Sequence, residues 1–406
     1  MVSLSATAHH HNLTERDASR MLSRSLNRLF LVFISSLLLV VQAHANMIPA
    51  PPQIPARSYV VMDAATGQVI LAKNEHDRYP PASLVKIMTS YIVELELIRG
   101  NLSEEEMVSI SENAWRTGGS RMFIQEGRQV RLLDLLRGVI ISSGNDSSVA
   151  LAEHVAGSER AFADLMNQHA QRLGMNNTHF ENATGLPAEN QYSSAFDLAL
   201  LSRALINDSH QYYPIYAEKY FEFNDIRQPN RNRLLWRDDT VDGIKTGHTT
   251  EAGYCLVASA VRDNMRLITV VMGSASEETR AQETQQLLNY AFRFFESVPL
   301  YTAGQIISQQ RVWGGDKDEI QLGVAENLAL TIPRGQQDRL EVVLDLPRNI
   351  QAPIEQGAMV GKVVVSIDGE IINETPLVAM QAIEKGGFVK RLWHSVLKFF
   401  TGLLNR

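Results

Sequence analysis

Two closely spaced apolar runs at 58–62 and 68–72, and two more at 254–261 and 267–273, bracket a long stretch of helical hydrophobic periodicity. The first pair is joined by Asp63-Ala64-Ala65-Thr66-Gly67 and reads as a hairpin. Between the pairs the pattern predicts helices over 83–98, 132–141, 147–156, 159–173 and 195–206. The last of these opens on Ser193-Ser194 with Asp197 as a capping-box-like partner. A further long helix is expected near 277–297, ended by Pro299. Strands first and last with helices between define an α/β (α+β) domain, an antiparallel sheet covered by helices. Beyond Pro299, short β-like runs at 320–322, 328–332, 340–344, 359–367 and 370–372 predict a small all-β domain without a nucleophile or base constellation. The expected division is 46–298, 299–383 and a C-terminal amphipathic helix in 384–406.

The ends of the chain place it. Arg20, Arg24 and Arg28 precede the apolar run 29–41, and Ala43-His44-Ala45 follows, which reads as a secretory signal peptide. The run is shorter than the ~20 residues that span a bilayer. Residues 1–20, with His9-His10-His11, read as an extension of that signal, and the mature chain is expected from Asn46. The single cysteine, Cys255, excludes an intramolecular disulfide and any cysteine-based metal site, and it falls in an apolar strand pattern that predicts burial. With 45% hydrophobic residues in 406, the chain can bury a large core without disulfides. Its net charge of −7 excludes a general nucleic-acid binder.

The tail differs from the body. Lys385, Lys390, Arg391, Lys398 and Arg406 face one acid, Glu384, in 384–406. Val389, Leu392, Trp393, Val396, Leu397, Phe399, Phe400, Leu403 and Leu404 recur as a helical stripe. A cationic polar face, an aromatic-rich apolar face and a Gly386-Gly387 break predict a helix lying on an anionic membrane surface rather than docked on the core.

Three short motifs carry the chemistry. In Ser83-Leu84-Val85-Lys86, after Pro80-Pro81-Ala82, residues i and i+3 share a helix face, so the Lys86 amine can approach the Ser83 hydroxyl. A lysine made neutral by burial and a second cation can take that hydroxyl's proton. Ser143-Gly144-Asn145 lies between two helical runs, where an extended pair would project a hydroxyl and an amide to one side. Lys245-Thr246-Gly247 precedes the strand near Tyr254 and offers a positive charge, a hydroxyl for a carboxylate and a side-chain-free edge for an extended peptide. His154, His169 and His179 are too far apart for a local metal motif, and no metal or cofactor is implied.

This ordered set resembles that of penicillin-binding proteins and class A β-lactamases, with Ser-Gly-Asn in place of Ser-Asp-Asn. The segments 81–89, 142–146, 242–249 and 330–335 resemble the low-molecular-mass D-alanyl-D-alanine carboxypeptidases of the penicillin-binding protein 5/6 type, over about 50–406. The resemblance implies the DD-peptidase/β-lactamase-like fold and a periplasmic enzyme held on the inner membrane through 388–406. It implies that Ser83 attacks the D-Ala-D-Ala bond of a peptidoglycan stem pentapeptide to form an acyl-enzyme that water hydrolyses. Lys86 would be the base, Ser143 a proton shuttle, and Asn145 a holder of the substrate amide. Lys245 would keep the site electropositive, and Thr246 with Arg280 would bind the terminal carboxylate. Gly247 would form the strand edge, and backbone N–H groups of Ser83 and His248 the oxyanion hole. Arg231 matches a family arginine near the cleft. β-Lactam antibiotics would acylate Ser83.

Three alternatives stand beside this reading. A weak β-lactamase shares nucleophile and base, but no Glu-x-x-Leu-Asn stretch of the class A type occurs between Ser143 and Lys245. A DD-endopeptidase of the same fold would carry the same motifs. A non-catalytic wall-binding scaffold would need no Ser–Lys pair.

Overall fold

The strands read as unbroken apolar runs because both faces of their sheet are buried. In the computed structural model, which describes residues 48–404, β1 (Ser58–Asp63), β2 (Val69–Lys73), β3 (Val241–Thr249), β4 (Gly253–Arg262) and β5 (Met265–Ser274) form an antiparallel sheet. Its order is β2-β1-β5-β4-β3. The signal peptide and the extension before it lie outside the described residues. Val60, Met62, Val257, Ile268 and Val270 enter one core, while their neighbours Tyr59, Val61, Leu256, Ala258 and Leu267 enter another.

The first core is closed by α1 (Lys86–Ile98), α2 (Leu132–Arg137), α3 (Asn145–Ala156), α4 (Glu159–Arg172) and α5 (Ala195–Asp208). The second is closed by α6 (Glu277–Phe294) through Leu287, Leu288, Ala291 and Phe292. Every residue of α1 from Lys86 to Glu94 is buried, so this helix is the axis of the domain rather than a surface helix.

Several boundaries depart from expectation. The 83–98 helix opens as a 3₁₀ turn at Ala82–Val85 and becomes α-helical only at Lys86. The 132–141 helix ends at Arg137 and widens into a π turn, Gly138–Ser142. Ser194 Oγ accepts the Asp197 N–H at 3.2 Å, but the Asp197 carboxylate turns to Asn177 N–H and Thr178 Oγ1, so the cap is not reciprocal. Pro299 does not end α6. The helix stops at Phe294, whose carbonyl accepts from Arg334 N–H, and Phe295–Tyr301 is a strand paired with Leu328–Pro333.

The C-terminal β-rich part contains a six-stranded sheet with the order 340–345, 359–367, 370–379, 319–323, 306–313, 350–351. A buried joint ties the separate 328–333 strand, paired with 295–301, to the first sheet: Thr331 Oγ1 donates to Asp63 Oδ2 at 2.8 Å and lies 2.7 Å from Thr66 Oγ1.

α7 (Phe388–Leu404) is held by its polar side. Gly314 N–H donates to His394 Nδ1 at 2.9 Å, and Lys390 pairs with Asp318 at 2.8 Å. Gly386 N–H bonds Gly314 O, so the Gly-Gly step joins the helix to the β-rich part rather than detaching it. Phe388, Val389, Leu392 and Trp393 point away, 60–79% exposed. Among the described residues no helix is long and apolar enough to cross a membrane.

Replacing Thr331 by Val keeps the shape and removes the hydroxyl that satisfies buried Asp63. The variant should lose about 1–3 kcal/mol of stability in a urea or thermal melt. An unchanged midpoint would show that the joint contributes nothing.

Candidate active site

The 3₁₀ turn sets Ser83 at the edge of the cleft, half-buried, and α1 then places Lys86 one turn further in and fully buried. Lys86 Nζ donates to Ser83 Oγ at 3.1 Å, Asn145 Oδ1 at 2.7 Å and the Thr184 carbonyl at 2.5 Å. Three acceptors suit an ammonium, which has three hydrogens. When one proton leaves, the amine gains a lone pair, and of the three acceptors only the Ser83 hydroxyl has a hydrogen to offer it. Burial, followed by the positive charge of Arg231, lowers the Lys86 pKa to about 7. Asp146 and Glu159 pull weakly the other way.

Ser143 caps the π turn in the left-handed region (φ 58°), and Asn145 is the first residue of α3. The pair is therefore not the extended one that the sequence suggested. The tight turn nonetheless brings both side chains to the cleft. Lys245 Nζ donates to Ser143 Oγ at 2.8 Å, while Asn145 donates to Gly118 O at 2.7 Å. The Asp146 carboxylate accepts the N–H groups of Met122 and Phe123, fixing the segment that carries Ser120. Lys245 is buried, and its pKa is held far below the usual lysine range by burial and then by Lys86, Arg231 and Arg280.

Lys245, Thr246 and Gly247 precede β4, as the sequence suggested, and themselves lie within β3, an edge strand. A Cβ on Gly247 would sit 3.0 Å from Pro81 O and 3.3 Å from the Ala82 Cβ, so the glycine lets β3 approach the turn bearing Ser83. His248 is exposed, its ring stacked on Tyr254 with centroids 4.0 Å apart. Arg280, on α6, is 5% exposed and reaches the carbonyls of Gly247 and Arg231, each at 3.4 Å. Arg231 is set by its buried neighbours, with Asn232 donating to Gly243 O and Asn230 to Glu218 O.

One cavity of about 310 Å³ is lined by Ser83, Ser143, Arg231, Thr246, Gly247, His248 and Arg280, and also by Ser120, Tyr254 and Glu277. The last three were not singled out from sequence, nor was the Thr184 carbonyl. Its loop is shaped by Asn182 Oδ1, which accepts from Thr184 N–H and Gly185 N–H, a turn that the Asn-x-Thr-Gly pattern could have signalled. Cys255 is buried as expected, its thiol pushed up to about 11 by burial.

A hydroxyl beside a lysine whose pKa is lowered to about 7, with a second amine–hydroxyl pair across the same cleft, defines a serine–lysine acyl-transfer site. The family model described as D-alanyl-D-alanine carboxypeptidase matches residues 45–276, and that of the penicillin-binding protein 5 C-terminal domain matches 295–385. The chain is 45% identical over 357 residues to the D-alanyl-D-alanine carboxypeptidase DacC of Escherichia coli, covering 86% of this chain and 89% of that one. The crystal structure of penicillin-binding protein 5 from Haemophilus influenzae superposes with a TM-score of 0.80 at 45% identity, covering 83% of this chain and all of that one. Penicillin-binding protein D2 of Listeria monocytogenes, solved with ampicillin bound, matches with a TM-score of 0.55 and 29% identity over 59% of this chain and all of that one. The chain belongs to the D-alanyl-D-alanine carboxypeptidase family of low-molecular-mass penicillin-binding proteins, and it is a serine-type D-Ala-D-Ala carboxypeptidase.

Gly185 has φ +81°, and a Cβ there would lie 1.9 Å from Ala82 O. Gly185→Ala must push the Thr184 carbonyl away from Lys86. Acylation of the folded variant by a fluorescent penicillin should fall at least tenfold, about 1.4 kcal/mol in barrier. Wild-type labelling would show that this carbonyl is dispensable.

Proposed function

We propose that Ser83 is the nucleophile of this carboxypeptidase and Lys86 its base. The observation that carries the reading is the 3.1 Å Lys86–Ser83 contact in a site dry enough to bring the amine to about pH 7. Neutral Lys86 takes the Ser83 proton as Oγ attacks the carbonyl between the two terminal D-alanines. The Oγ–carbonyl carbon bond forms, and the developing oxyanion is received by the N–H groups of Ser83 and His248. The C–N bond then breaks as the proton taken by Lys86 passes by way of Ser143, with Lys245 beside it, to the leaving amine, which leaves Lys86 neutral and Ser143 a hydroxyl again. Water attacks the resulting ester with the Lys86 amine as base, freeing the shortened stem peptide and Ser83.

Asn145 holds the substrate amide, Gly247 keeps the β3 edge open to an extended peptide, and Thr246 and Arg280 receive the terminal carboxylate, with Arg231 raising the positive potential. Penicillins present a strained amide and a carboxylate in the same arrangement, so the same serine is acylated by them. The ampicillin-bound relative supports this step.

We further propose that the enzyme is periplasmic and sits on the inner membrane through α7. The support is the exposed Phe388, Val389, Leu392 and Trp393 on a helix tethered by its opposite side. Removing 388–406 should free the protein from anionic vesicles while D-alanine release in solution is kept. A truncated protein that still floats with vesicles contradicts this role.

The direct test is D-alanine release from a stem pentapeptide, with a cross-linked dimer peptide in parallel. Release from the pentapeptide is expected, and Ser83→Ala should abolish both it and penicillin labelling. Because the Lys86 pKa is lowered to about 7, its neutral form accumulates as pH rises through that value. Acylation should therefore climb about tenfold per unit below pH 7 and level off above it. A rate independent of pH from 5 to 9 rules out Lys86 as the titrating base.

A further inference from the structure

Among the described residues, Glu277 is the one acid lining a pocket that also holds Arg231, Arg280 and the hydroxyls of Ser83, Ser143 and Thr246, where the substrate's own carboxylate is proposed to bind. It is the first residue of α6 after the Ser276 cap, and three residues on, Arg280 points to the same cleft. One carboxylate oxygen, Oε1, lies 3.5 Å from Arg280 Nη2, and the other, Oε2, lies 3.1 Å from Arg233 Nη2. Its neighbour Glu278 pairs with Arg237 at 2.6 Å and Arg233 at 3.3 Å. The Arg280 guanidinium otherwise reaches two carbonyls at 3.4 Å and lies 5.7 Å from the Tyr254 ring centroid, so its hydrogen bonds all sit beyond the 2.7–3.2 Å range of good N–H···O bonds. The guanidinium is poised for a closer anion. Any carboxylate that takes Arg280 brings a second negative charge up against Glu277, and Arg233 is the cation on the outer side able to draw Glu277 away.

We propose that Glu277 is an internal competitor for Arg280, shared between Arg280 and Arg233 and left to Arg233 alone when a substrate carboxylate takes Arg280. Glu277 thereby sets how strongly the pocket selects an anionic C-terminus. This rests on the assignment of Arg280 to the terminal carboxylate. The reacting atoms lie at Ser83 and Lys86, so Glu277 is a specificity residue and takes no part in the bond changes.

The test compares Glu277→Gln and Arg233→Gln with the wild type, using the full mature chain. Three reagents are needed: a stem pentapeptide, benzylpenicillin and the uncharged methyl ester of benzylpenicillin. Glu277→Gln should raise kcat/KM for the peptide and the second-order acylation constant of benzylpenicillin about threefold at low salt, the size expected of one partly exposed charge pair. High salt should shrink that gain, and the ester should show none. Arg233→Gln, which leaves Glu277 to Arg280 alone, should lower both constants. An unchanged or reduced constant for benzylpenicillin in Glu277→Gln, or an equal gain with the ester, overturns the proposal. A wild-type enzyme that is acylated by benzylpenicillin but releases no D-alanine would count against the peptide reading, with the Glu277 comparison still read from the two penicillins.

Discussion

Two lysine side chains buried in one cleft, hydrogen-bonded to neutral oxygens, govern the rest of this structure. Lys86 has Ser83 Oγ, Asn145 Oδ1 and Thr184 O, and Lys245 has Ser143 Oγ and Thr246 O. A buried ammonium without a carboxylate beside it is costly, so both pKa values fall, that of Lys86 further through Arg231 and that of Lys245 further through Lys86, Arg231 and Arg280. Each amine is joined to a serine hydroxyl, so moving its proton means moving a hydroxyl hydrogen. In the proposed roles one hydroxyl attacks and the other delivers.

Keeping these groups dry takes four separate stretches of chain. α1 brings Lys86 because its whole first half is buried, a condition met only at the centre of a helical layer. Asp146 clasps the 122–124 backbone, the Asn182 turn presents the Thr184 carbonyl, and β3 closes the far side. The close approaches require glycine: Gly185 nearly touches Ala82 O, and Gly247 passes Pro81 O. The closeness of the site is thus carried by turns and backbone contacts, while α1 and the sheet beneath supply the buried frame.

That division explains what could be read from the sequence. The Ser83–Lys86 relation follows from helical spacing and survives the 3₁₀ start, since either helix keeps i and i+3 on one side. The sheet's central strands were legible as β-branched apolar runs. β3 was not, because Val-Asp-Gly-Ile-Lys-Thr-Gly-His-Thr is polar and glycine-bearing: one of its edges faces the cleft. Ile306–Trp313 escaped for a related reason, since a strand reading Ile-Ile-Ser-Gln-Gln-Arg-Val-Trp buries mainly Val312. A carbonyl such as that of Thr184 leaves no side-chain trace at all. In the tail the apolar stripe was visible, but the tether through Lys390 and His394 depends on where Gly314 and Asp318 lie, which is tertiary information.

In the proposed mechanism the second half of the reaction returns to the same amine. Once Ser83 is esterified, its oxygen can no longer offer a hydrogen to Lys86, and the lone pair is free to meet a water on the acyl carbon. Glu159, the acid whose carboxylate reaches this region, accepts the Ala183 N–H at 3.1 Å and is thereby committed to the loop that carries Thr184. Burial raises its pKa, and the Ala183 bond opposes that shift. It therefore steadies the lysine's third acceptor rather than offering itself to water. In the proposed mechanism one amine serves both steps, and hydrolysis depends on water reaching a space that the acyl group partly fills. In that mechanism the departure of D-alanine from a peptide vacates the space through which the water comes. A β-lactam's leaving nitrogen stays attached to the acyl fragment, so it stays in the path. The same geometry that turns over peptides would then hold penicillins as lasting esters.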